Sequence, residues 1–121
     1  MKGTRAIALV SGLILAATGT WAFFGARSFY DTVATFPPYN EHFIHDIGAF
    51  TLGLGAVLML AVVWADALLV VLAGNAVGAS LHAASHVLDA DVSGAGTPVL
   101  TIAFALILAL AAVWRWRETA R

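Results

Sequence analysis

Four stretches of this chain, at about 5–26, 41–64, 67–89 and 98–116, are apolar almost without interruption. About 20 apolar residues in a helix cover the roughly 30 Å hydrocarbon core of a bilayer, so each stretch is long enough to cross one. A chain in hydrocarbon satisfies its backbone polar groups only as a helix or a closed barrel, and uninterrupted runs of this length read as helices. The composition agrees: 61% of the residues are hydrophobic and 11% charged, with a mean hydropathy of +0.91. Ordinary soluble domains carry about 25% charged residues. A net charge of -1 provides no basic field for nucleic acid, so no nucleic-acid partner is expected and the partner is the lipid bilayer. The chain has no cysteine, which excludes a disulfide framework, a thiolate metal site and c-type haem attachment.

The expected fold class is all-α: one domain over 1–121, a four-transmembrane-helix up-down-up-down bundle. The first run follows a short basic start, MKGTR, and continues past a passable leader-cleavage site at Thr20, Trp21 and Ala22 to Phe24, which favours a retained first span over a secretory signal. Residues 27–40 (RSFYDTVATFPPYN) read as an interfacial loop with one helical turn, stopped by Pro37 and Pro38 and rich in Phe and Tyr. Asn40 stands where an N-cap belongs, with Glu41 in the first turn. Gly48, Gly53 and Gly55 in the second span, and Gly74 and Gly78 in the third, suit close helix approach. The short link at residues 64–67 makes the second and third spans antiparallel neighbours, with Asp66 as a cap; residues 91–97 read as a turn. Lys2, Arg5, Arg115, Arg117 and Arg121 lie at the two termini, against Arg27 in the other long connection, so both termini are expected to be cytoplasmic. The expected location is the cell (inner or plasma) membrane, multi-pass.

This topology gathers all four histidines at one extracytoplasmic end. Residues 75–89 carry Asn75, His82, His86 and Asp89 within an arc of roughly 60°. His82 and His86 are an i, i+4 pair, the spacing that lets two imidazoles share an ion. Residues 41–46 (EHFIHD) supply Glu41, His42, His45 and Asp46 from the second span. The expected metal ligands are Glu41, His45, His82 and His86, with His42, Asp46 and Asp89 as partners behind them. Imidazole and carboxylate without thiolate suit zinc, iron, copper or manganese. Ionisable groups within a span are costly and usually functional.

Other readings of the same residues are a hydrated polar cap between two helices and a b-type haem held by one histidine from each helix. As an enzyme, the site would permit hydrolysis by a metal-activated water with Glu41 or Asp46 as base, or redox chemistry at iron or copper. A different class of function is a small accessory subunit of a larger membrane complex or a homo-oligomer, which outward small-residue faces would favour. Residues 40–48 (NEHFIHDIG), the Gly-punctuated span after them and the His-bearing third helix resemble a group of small, uncharacterised four-helix membrane proteins from high-GC Gram-positive bacteria. That resemblance implies an architecture and carries no residue roles.

Overall fold

The computed structural model describes residues 2–89 and 97–120. Its helices are α1 (Lys2–Phe24), α2 (Ala26–Thr32), α3 (Glu41–Val63), α4 (Leu68–Leu88) and α5 (Thr97–Thr119), with a 3-10 turn at Ala65–Ala67 between α3 and α4. No strand occurs among the described residues. Four of the helices, of 21 to 23 residues, are long and apolar enough to cross a membrane. At 1.5 Å per residue they reach about 32 to 35 Å. Large apolar side chains cover their outward faces, Phe50 at 77% exposure and Val70 at 73% among them. Such a continuous apolar surface is a liability in water and the ordinary finish of a bundle in lipid.

Local signals set the helix ends. The Asn40 side chain accepts from the Phe43 amide at 3.0 Å and starts α3, as its position predicts. Gly25 separates α1 from α2, and α2 adds two helical turns before the prolines where the sequence suggested one. Asp66 lies within the 3-10 turn and does not cap α4, whose N-cap is Ala67 with no side-chain bond. The turn expected over 91–97 falls, except for Thr97, outside the described residues.

The packing is pairwise. α3 packs chiefly on α1 and α4 chiefly on α5, while α3 and α4 touch lightly despite their short link. Glycines explain the first pair. Gly12 and Gly19 on α1 meet the α3 backbone at Gly55 and Gly48 in antiparallel order. A Cβ on Gly48 would stand 2.6 Å from the Phe23 amide nitrogen, and one on Gly55 2.6 Å from that of Ala16, closer than real Cβ contacts come. The backbones therefore touch, as small residues permit in lipid. This also makes α1 part of the core. Gly53, Gly74 and Gly78 have open space where a Cβ would be, so the expected role of all three in packing this bundle is not what they do.

Both helix pairs join at the end that holds the start of α1 and the end of α5, here the proximal end. One buried cluster draws Ala8 from α1, Leu58 and Ala61 from α3, Leu68, Leu72 and Ala76 from α4, and Leu108, Ala111 and Ala112 from α5. At the distal end the buried cluster is Ala22, Ala26, Phe29 and Ile44, from α1, α2 and α3 alone. Phe29, expected at the interface, is thus core.

Candidate functional site

The distal end carries all seven residues named as ligands or their partners. Helical geometry decides which of them meet. At about 100° per residue, Ile44, Gly48 and Gly55 share one side of α3 within about 40°, the side laid against α1. His42 and Asp46 fall about 160° from Ile44, on the opposite face. They form an exposed pair with 3.6 Å between Nε2 and Oδ2. His45 sits on the flank toward α1 and is half-buried against Phe23, with 5.4 Å between ring centroids. Glu41 is exposed in the first turn.

On α4, Leu68, Leu72 and Asn75 are buried on one stripe. His86 falls in line with Leu68, and His82 about 20° beyond Asn75, so the histidines continue the core face past the point where the four-helix core ends. The two rings lie side by side, 4.6 Å between centroids and 77° between planes. His86 is half-buried and faces Phe36 of the loop at 6.5 Å; His82 is exposed. Neither imidazole makes a hydrogen bond or ion pair with a described residue. Asp89 is the C-cap of α4, its amide donating to the Ser85 carbonyl at 2.8 Å. The Ser85 hydroxyl donates to the His82 carbonyl at 2.8 Å, so it is not aligned with an imidazole as a nucleophile would be. Asn75, buried on α4, donates Nδ2 to the Val71 carbonyl of its own helix at 3.0 Å.

The structure therefore brings together His82 with His86 and His42 with Asp46. Among the described residues no group of three or more His, Asp or Glu side chains is placed to hold a metal ion. The reason lies on α3: its contact edge with α1 is set by glycine, and that register turns His45 toward Phe23 and His42 outward.

Above α3, the loop is held by an aromatic clamp. Arg27 pairs with Asp31 at 2.9 Å and lies over the rings of Tyr39 and Tyr30, 5.0 and 5.7 Å from their centroids. The Asp31 hydrogen bond holds the guanidinium still more firmly charged, and loss of water around Tyr39, with the nearby Glu41 charge, pushes its phenol above the ordinary tyrosine value.

The proximal end holds polar groups that a reading of residue types alone passed over. Arg115 is only 7% exposed; its guanidinium donates to Glu118 at 3.3 Å and to the Ala65 carbonyl at 3.1 Å, tying α5 to the 3-10 turn. Thr4 donates to Glu118 at 3.3 Å and brings in α1. The signal was available: Arg115 follows Leu108, Ala111 and Ala112 at i+7, i+4 and i+3, on the core stripe of α5. A shallow groove of about 440 Å³ lies between α4 and α5, lined by Ala83, Val87, Ile102, Ala105 and Leu106 with Ser80 as its polar member. Its lining is almost wholly apolar.

No protein family, curated protein or solved structure matches the chain.

Proposed function

We propose that this is a multi-pass protein of the cell membrane, with cytoplasmic termini and the distal end outside, whose function is to bind a divalent transition-metal ion through His82 and His86. The observation that carries the reading is the pair itself: adjacent imidazoles, 4.6 Å apart, without a hydrogen-bonding partner among the described residues, His82 lying about 9 Å short of the end of its span. Such groups are expensive in a membrane unless a ligand or water repays them. An i, i+4 pair on a rigid helix presents two neutral nitrogens to one ion, which suits zinc, copper(II), iron or manganese. Glu41 and His45 are outside this ligand set because of where α3 directs them. A porphyrin has no slot between two rings on consecutive turns of one helix, so haem draws no support from the pair.

The test is metal content of the purified protein by elemental mass spectrometry, with Co²⁺ substitution read in the visible spectrum. Wild-type protein should retain an ion, and His82→Ala and His86→Ala should each lose at least ~10-fold in affinity. Unchanged metal content in both variants, or none in the wild type, sinks the proposal.

A second reading, a subunit that docks on other membrane helices, is favoured by Gly53, Gly74 and Gly78, small residues that this bundle leaves facing open space. Purification under mild detergent tests it: a fixed stoichiometric partner supports it, and a chain that runs alone counts against it.

A further inference from the structure

Gly74, Gly78, His82 and His86 follow one another at i+4 along α4, so two open glycines lead directly onto the unpartnered imidazoles on a single ridge of the helix. From this juxtaposition we infer that the metal site is shared between two copies of the chain, α4 meeting α4 at Gly74 and Gly78 and each copy contributing His82 and His86. This inference rests on the metal reading above. Its own support is the ligand deficit: among the described residues one chain brings two nitrogens together, whereas zinc and its neighbours take about four ligands in a closed site. A second copy is the occupant that meets this deficit with the same chemistry, because a twofold axis beside the ridge doubles the pair. The glycines supply the approach. Side chains there would hold two backbones apart, while glycines at this spacing let helices cross closely in lipid, and the next turn along the same ridge is His82. Two further features agree. The ridge is uncovered over Gly74, Gly78 and His82, all exposed, and the half-buried His86 lies 6.5 Å from the Phe36 ring.

The full-length protein in detergent is titrated with Zn²⁺ and Co²⁺ while its mass is followed by light scattering. The expected result is a metal-bound dimer with about one ion per two chains and a tetrahedral Co²⁺ spectrum. Gly78→Leu, at a position with room for a side chain, should abolish the dimer and weaken metal binding by at least ~10-fold. Gly53→Leu, equally open but on α3, should change neither, which controls for the effect of a bulky residue on folding. His82→Ala should lose the metal. A monomer that binds about one ion per chain, or Gly78→Leu protein that binds as wild type does, overturns the shared site and leaves the metal reading intact. No binding of either ion overturns both.

Discussion

The two ends of the bundle use the same α4 face in opposite ways. At the proximal end the stripe of Leu68 and Leu72 is sealed by residues from the other three long helices, and the charged group there, Arg115, is enclosed with Glu118 and a carbonyl acceptor. At the distal end the stripe continues as His82 and His86, past the cluster shared by the four long helices, and among the described residues the imidazoles have each other and Phe36 as ring neighbours. A polar side chain in a span is thus enclosed by other helices at one end of the bundle and left uncovered at the other. The glycines divide in the same way. Gly12, Gly19, Gly48 and Gly55 are filled by a neighbouring helix, whereas Gly53, Gly74 and Gly78 are open.

Substitutions at matched positions sharpen this contrast. The largest effect is expected from Arg115→Ala, which takes the Arg115 donor from the Ala65 carbonyl and one of its donors from Glu118, which keeps Thr4, at the point where α5 meets the α3–α4 turn. Losing two hydrogen bonds made by a buried guanidinium should cost about 3 kcal/mol, read as a shift in denaturant unfolding in detergent. A loss below about 0.5 kcal/mol would mean that the proximal end is not clamped by this group. Gly55→Ala comes next. Its Cβ meets backbone rather than a movable side chain, so α1 and α3 must separate, at about 1–3 kcal/mol by the same measurement. Smallest is Gly74→Ala, where the Cβ enters open space. In the isolated chain its stability should stay within about 0.5 kcal/mol of wild type. A loss equal to that of Gly55→Ala would show that the two sets of glycines do not differ.

Much of this could be read along the chain. The four spans, the Asn40 cap and the role of Gly48 and Gly55 follow from hydropathy, short-range hydrogen bonding and residue size. The pairing of His82 with His86 is equally local, since residues four apart on a helix are neighbours whatever surrounds them. Harder to see was how α3 is rotated. His45 and His42 lie in the same hexapeptide, yet one rests on Phe23 and the other points outward beside Asp46, because Gly48 and Gly55 fix which side of α3 touches α1. Arg115 was read as one of several basic residues at a membrane boundary. Its place on the core stripe of α5 outweighs its charge.

The sequence by itself determined that this chain forms four membrane-length helices, that all its histidines lie at one end of them, and that His82 and His86 share a face. These are consequences of hydrophobic length and helical period, both properties of a segment alone. Tertiary structure decided which helices pair, which glycines are filled, and that the core shared by the four long helices stops short of the histidines. Those outcomes depend on backbone-to-backbone fit between segments far apart in sequence, where the absence of one Cβ on each side selects the partner.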